Sequence, residues 1–257
     1  MFDTHVNLHG DTYADDLDEV LQRARRAGVS RFLAICDRLD NFDAVKAIAS
    51  RNADMWCSVG VHPHHSKDFP ELTTDTLVKS ASDPKVVAIG ETGLDFYYGY
   101  SAEAEQIASL RKHIQAAREA GLPLILHTRD ADDLMGDILE EEMDRAPFVP
   151  LLHCYTGGQR LAERAAALGA YFSVSGIASF KNAKDVHAVV KTLPQDRVIL
   201  ETDCPYLTPV PFRGRRNEPA HLVHVCEAYA TLIGSPMEEV AAMTDANALR
   251  LFSKVTT

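Results

Sequence analysis

The stretch Val86-Val87-Ala88-Ile89-Gly90-Glu91-Thr92-Gly93-Leu94-Asp95 decides the fold. Its four apolar residues carry no charge between them, the pattern of a strand buried on both faces. The run then delivers a carboxylate, Glu91, into a glycine-containing turn. An acid at the end of a buried strand is costly unless a metal or a cationic side chain meets it there. An arginine such as Arg129 is one such partner, and a metal ion is the other.

Outward from this stretch, the same beat recurs. Met1-Phe2 leads to His5, and a helix is expected from about Tyr13 to Ala27. Arg31 to Ile35 precedes a helix over Phe42 to Ser50. Met55 to Val61 runs into His62-Pro63-His64-His65, with a helix near Leu72 to Ser82. After the opening stretch comes a long helix from about Ala102 to Ala120. Leu122 to Leu126 ends in His127, before a helix over Asp132 to Asp144. Phe148 to Leu152 ends in His153, before a helix from Gly158 to Leu168. Tyr171 to Val174 precedes a helix near Ala183 to Thr192, and Val198 to Leu200 leads to Glu201-Thr202-Asp203. Two helices, about Pro219 to Leu232 and Pro236 to Phe252, close the chain.

These eight strands begin about 28 residues apart, close to the roughly 30 per unit of a (β/α)8 TIM-like barrel. Strand–helix alternation also suits a doubly wound open sheet. No G-x-G-x-x-G follows the first strand and no P-loop is present, which lowers the nucleotide-binding version of that alternative. No linker or shift of composition divides the chain, so residues 1–257 are expected to form a single α/β barrel domain.

The 257 residues are 46% hydrophobic and 25% charged, ordinary for a globular protein. No apolar run approaches a membrane span and the N-terminus lacks a basic leader, so a cytoplasmic protein without membrane contact is expected. Five scattered cysteines without a C-x-x-C pair read as reduced structural thiols. The net charge of −11 argues against a broad DNA-coating surface. It leaves room for an enzyme that grips a few phosphates through metal and a local arginine cluster.

The informative feature is where the ionisable residues fall. His5, His62, Glu91, His127, His153 and Asp203 all sit at or just past the C-terminal end of an expected strand. In a barrel those ends converge on the face where active sites are built. A lone His127 would read as a core histidine, but His153 repeats its pattern one unit later. Asp203 also fits a turn, and His64 and His65 fit a solvated loop. His9, His113, His187, His221 and His224 fall on helices or loops and carry no expectation of function. Imidazole with carboxylate suits Zn²⁺, Mn²⁺, Fe²⁺ or Co²⁺, whereas oxygen-rich sites lean toward Mg²⁺. Such an ion makes water a nucleophile near neutral pH, and a carboxylate such as Asp203 can take its proton.

Several motifs carry a resemblance. Gly60-Val61-His62-Pro63-His64, Gly90 to Phe96, His127-Thr128-Arg129-Asp130-Ala131, His153-Cys154-Tyr155-Thr156-Gly157, Glu201 to Leu207 and Arg216-Asn217-Glu218-Pro219 together resemble the signatures of the TatD family. The resemblance spans nearly the whole chain in order and spacing. It implies a TIM-like barrel and metal-dependent hydrolysis, typically Mg²⁺- or Mn²⁺-assisted 3′–5′ exonuclease activity on DNA or RNA. Carried over, Glu91 would bridge one or two divalent ions, with His127 and His153 as ligands of one. Asp203 would be the remaining acidic ligand and activator of water. His62 would lie beside the scissile phosphate, and Arg129 would meet a phosphate or carboxylate.

Many members of that family begin with a His-x-His pair, where this chain has His5-Val6-Asn7. An amide oxygen is a weaker ligand than an imidazole. One tight ion on Glu91, His127 and His153 is therefore expected, with a second, weaker one near His5 and Asp203. The dense basic loop Pro211-Phe212-Arg213-Gly214-Arg215-Arg216 offers Arg213 and Arg215 as phosphate contacts. Phe212, Tyr97 or Tyr98 could stack a terminal base. The expected protein is a monomeric hydrolase acting on nucleic-acid ends, with a shallow salt dependence. An esterase such as a D-aminoacyl-tRNA deacylase, or a scaffold with a residual metal centre, are the alternatives.

Overall fold

Eight parallel strands alternate with nine helices in the computed structural model, which describes residues 1–255. The first half comprises β1 (Phe2–Val6), α1 (Leu17–Arg26), β2 (Arg31–Ala34), α2 (Phe42–Arg51), β3 (Met55–Val59), α3 (Thr74–Ala81), β4 (Val86–Asp95) and α4 (Glu103–Ala120). The second comprises β5 (Leu124–Arg129), α5 (Asp132–Arg145), β6 (Pro150–Leu152), α6 (Gln159–Ala167), β7 (Tyr171–Val174), α7 (Lys184–Val190), β8 (Val198–Leu200), α8 (Leu222–Ile233) and α9 (Met237–Leu251). The strands pair in sequence order from β1 to β8. The ring closes where Val6 bridges Cys204 in parallel. There Asp203 N–H donates to the His5 carbonyl at 3.1 Å and Asn7 N–H to that of Cys204 at 2.9 Å. The fold is a (β/α)8 barrel, as the spacing of the strands implied.

Strand alternation sorts the core into two layers. Phe32, Ala34, Met55, Val86, Leu124, Leu152, Phe172 and Val198 point outward and pack with apolar residues of the helices. Leu33, Trp56, Val87, Ile125, Leu151 and Ile199 fill the barrel, and Ala248, Leu251 and Phe252 of the C-terminal segment seal them from below. The rings of Phe2 and Phe252 lie 5.8 Å apart in this plug. Among the described residues, no helix is long and apolar enough to cross a membrane.

The opening stretch differs from its sequence reading in one respect. β4 does not stop at Glu91 but runs ten residues to Asp95, every one buried. Against β5 its register goes from Ile89↔Leu124 to Thr92↔Leu126, three steps on β4 for two on β5. That extra residue is a bulge, a device that re-aims a side chain beside a site. Two glycines make it feasible. A Cβ on Gly60 would approach the Glu91 carbonyl oxygen to 2.8 Å, and one on Gly93 (φ 142°) would overlap the His127 carbonyl. Two helices also start later than expected, because 3₁₀ turns precede them at Asp11–Tyr13 and Pro219–His221.

Candidate metal centre

Glu91 sits at the centre of a ring of imidazoles. Its Oε1 lies 2.7 Å from His153 Nε2, 3.3 Å from His127 Nδ1 and 3.5 Å from His62 Nε2. Its Oε2 faces the other way, 3.4 Å from His5 Nε2, which in turn lies 3.6 Å from Asp203 Oδ1. The two oxygens of one carboxylate thus address two donor sets. No arginine takes the place suggested for Arg129. Its guanidinium instead stacks on the rings of Tyr97 and Tyr98, 3.9 and 4.9 Å from their centroids.

Two of the imidazoles are steered from behind. His127 turns Nε2 to Asp95 Oδ2 at 3.0 Å, leaving Nδ1 for the centre. His153 turns Nδ1 toward Glu201 Oε1 at 3.4 Å, leaving Nε2 for the centre. Glu201 is itself fixed by the Ser173 hydroxyl, which donates to its Oε2 at 2.5 Å. Carboxylates behind metal-binding histidines set their tautomer and raise their basicity. The sequence reading missed Asp95 and Glu201 in this role. A signal was present for Asp95, which is four residues from Glu91 on the same strand, a spacing that shares one face.

His62 differs from its neighbours. Its Nδ1 accepts the His64 N–H at 3.2 Å, so the neutral ring carries its proton on Nε2, the atom that faces Glu91. Distance alone would group His62 with Glu91 and His127 as ligands, all within 4.8 Å. The tautomer argues for a donor there instead, because a protonated nitrogen cannot ligate a metal. Burial lowers the His62 pKa to about 3, which keeps the ring neutral.

The electrostatics call for a cation. Burial pushes the Glu91 carboxyl up, but the surrounding imidazoles, His153 first, outweigh it and hold the group well below its usual range. Burial opposes a charge on His153, yet Glu91 and Glu201 raise its pKa well above the ordinary value. Asp203 is pushed up to about 6, chiefly by burial, against the pull of His5 and His153. Glu91, Glu201 and Asp203 are thus three acids in one pocket, with only histidines as ion-pair partners among the described residues. His5 is buried with neither ring nitrogen hydrogen-bonded, and His153 Nδ1 and Glu201 Oε1 likewise lack partners. Buried polar atoms left unpaired are costly. A divalent ion ligated by His5, Glu91 and His153 Nε2 would pair a His5 nitrogen and offset the crowded carboxylates, so the donor set fits a metal.

Around the cluster opens a cleft of about 750 Å³ lined by His62, His64, Tyr98, Tyr100, Arg129 and Tyr206 among others. His64 is no solvated loop residue: its Nε2 lies 2.8 Å from Asp95 Oδ2. His9 also lines the cleft, with Nε2 3.1 Å from Asp37 Oδ1. Asn7 donates from Nδ2 to Asp203 Oδ1 at 3.3 Å, so its amide presents nitrogen to the acid. The basic loop turns elsewhere. Arg213 lies over the Phe180 ring, Arg215 over Phe212, and Phe212 stacks on His221 at 4.6 Å. Neither Arg213 nor Arg215 is among the residues lining the cleft. Arg216 pairs with Asp16 at 2.6 Å, while the buried Asn217 side chain donates to the Thr202 carbonyl at 2.9 Å. That motif braces the loop that carries Asp203.

A parallel barrel with a histidine–carboxylate cluster at the C-terminal ends of its strands defines a metal-dependent hydrolase. The model of the family described as TatD related DNase matches residues 2–253, and the chain belongs to that TatD family. It is 39% identical over 253 residues to an uncharacterized metal-dependent hydrolase, YabD, of Bacillus subtilis, covering 98% of both chains. It is 38% identical over 260 residues to a protein of Cronobacter turicensis named 3′-5′ ssDNA/RNA exonuclease TatD, covering 99% of this chain and 98% of that one. Among solved structures, the TatD homolog YjjV of Escherichia coli matches with a TM-score of 0.86 and 28% identity, covering 98% of each chain.

Proposed function

We propose that the protein is a divalent-metal-dependent phosphodiesterase that removes nucleotides from the 3′ ends of single-stranded DNA or RNA. The observation that carries this reading is the division of Glu91, with Oε1 toward His127 and His153 and Oε2 toward His5 and Asp203. The relatives named as 3′-5′ ssDNA/RNA exonucleases, 35–38% identical over nearly the whole chain, support the substrate class.

In this reading Glu91, His127 and His153 hold one ion, and the His5–Asp203 side of Glu91 holds a second, more weakly. A divalent ion held there would lower the pKa of a water toward neutrality and offset charge on the phosphate. Mn²⁺ suits the mixed imidazole and carboxylate donors, as does Zn²⁺; Mg²⁺ prefers oxygen alone. Asp203 accepts the proton of the attacking water, held toward the cluster by the Asn7 amide. His62 donates from Nε2 to the scissile phosphate or the leaving oxygen. Arg129, on the cleft wall, meets the backbone phosphate. Arg213 and Arg215, engaged with their own aromatic neighbours, add an outer contact only.

The test is release of label from 3′-labelled single-stranded DNA and RNA with Mn²⁺, comparing wild type with Glu91→Ala. Wild type is expected to release 3′ mononucleotides and the variant none. No release by wild type, or equal release by both, would overturn the reading.

A further inference from the structure

Four of the eight tyrosines, Tyr13, Tyr155, Tyr171 and Tyr229, are buried. The other four are exposed: Tyr97 at 58%, Tyr98 at 48%, Tyr100 at 54% and Tyr206 at 63%. None is scattered. Three follow β4, the fourth follows β8, and Tyr98, Tyr100 and Tyr206 line the cleft that contains Glu91. Exposed aromatic surface gathered at one cleft marks a place where something apolar is bound. From this clustering we infer that Tyr98 and Tyr100, which share the cleft with Tyr206, form a stacking subsite for unpaired nucleobases. The inference rests on the nucleic-acid reading above and names how that substrate is held.

The rings are already arranged for stacking. Tyr98 and Tyr100 lie parallel, 5.2 Å between centroids and 2° between planes. The Arg129 guanidinium packs against Tyr97 and Tyr98 at 3.9 and 4.9 Å, adding a cation to the same wall. The loop is pinned at both ends. Asp95 Oδ1 accepts from the Tyr97 and Tyr98 N–H groups at 3.0 and 3.2 Å. Gln106 donates to the carbonyls of Asp95 and Ser101 at 3.0 and 2.9 Å. A platform held this way loses little freedom when a base lands on it.

The same side chain registers the platform to the chemistry. While Asp95 Oδ1 holds the tyrosine loop, its Oδ2 holds His64 and His127 at 2.8 and 3.0 Å. Tyr98 and Tyr100 in turn meet His64 edge to face at 5.3 and 4.9 Å. His64 alone therefore separates these rings from His127, a ligand of the proposed metal. Because every base has a π face, such a subsite tolerates any sequence but requires the base to be unpaired.

The test is a cycle of base removal against ring removal, read as equilibrium binding to the full, Mn²⁺-loaded protein. The probes are phosphorothioate-protected single strands with a 3′-terminal 2-aminopurine, or the same strands abasic at that position. Wild type is expected to quench the 2-aminopurine and to bind the base-bearing strand roughly 5- to 100-fold more tightly than the abasic one. The difference should vanish in Tyr98→Ala with Tyr100→Ala and persist in the double Phe variant, while the abasic strand reports whether the Ala protein still folds and binds. No base dependence in wild type, or full base dependence in the Ala variant, would overturn the subsite. Base-dependent binding without nucleotide release would contradict only the proposed activity, and release without base dependence only the subsite.

Discussion

The two ends of the barrel are built on opposite principles. At the N-terminal end, Phe2, Leu33, Val87, Ile125 and Ile199 are covered by Leu251, Phe252 and Val255, and Lys254 donates to the carbonyls of Ala81, Asp83 and Val86. Apolar surface is buried there, and the Lys254 ammonium is paired three times over. At the C-terminal end, Glu91, Glu201 and Asp203 are crowded together, and buried nitrogens of His5 and His153 have no hydrogen-bond partner. One end supplies stability through packing, and the other withholds its own satisfaction until a cation arrives. The difference teaches that sequence runs identical in pattern, an apolar strand and then a helix, acquire meaning from the end of the strand at which the ionisable residue falls.

That contrast can be broken from below first. Phe252 is fully buried in the plug, so Phe252→Ala should cost about 3–5 kcal/mol of unfolding free energy. Metal affinity at a temperature well below the melting transition should stay as it was. Denaturant unfolding and metal titration of the same variant check both halves, and a loss of metal with no loss of stability would reverse the assignment of the two ends.

A second test concerns pH. His113 on α4 is buried, accepts the Val61 N–H through Nε2 at 3.0 Å, and has its pKa lowered to about 4 by burial. The unfolded chain therefore takes up a proton between pH 6.5 and pH 4 that the folded one refuses. The contribution of His113 is complete above pH 6.5 and shrinks as pH falls through that window. The stability advantage of wild type over His113→Gln should narrow by about 2–3 kcal/mol from pH 7 to pH 4. A pH-independent difference would show that the ring is not held neutral.

The smallest effect sharpens the upper end. Asp95→Asn keeps the size of the side chain but removes the charge behind His127, and should weaken metal binding by about 10- to 100-fold. Calorimetry on the variant reads this directly, and wild-type affinity would remove Asp95 from the site.

Much of this architecture was legible in the sequence, for physical reasons that differ by residue. Most of the strands could be read because both faces are buried, which leaves an apolar run such as Val86–Ile89 or Leu124–Leu126. His127 and His153 could be read because each ends such a run one repeat apart. The bulge at Gly90–Glu91 could not, since it arises from register between β4 and β5, a property of two strands together. Asp95 and Glu201 resemble ordinary turn acids until the imidazoles they steer are in place. The loop at Arg213 to Arg216 was legible as a basic cluster, but its distance from the cleft, which Arg213 and Arg215 do not line, was not. Its charge density suggested a phosphate grip; in the fold Arg213 and Arg215 lie over Phe180 and Phe212 outside the cleft, and Arg216 pairs with Asp16. The tyrosines after β4 hold the cleft wall instead.

The central claim is that Glu91 organises a metal centre, and calorimetric titration of Mn²⁺ into chelator-stripped protein tests it most directly. Wild type should take up one ion tightly and a second more weakly, and Glu91→Ala should bind neither. Undiminished Mn²⁺ binding by Glu91→Ala would contradict the account.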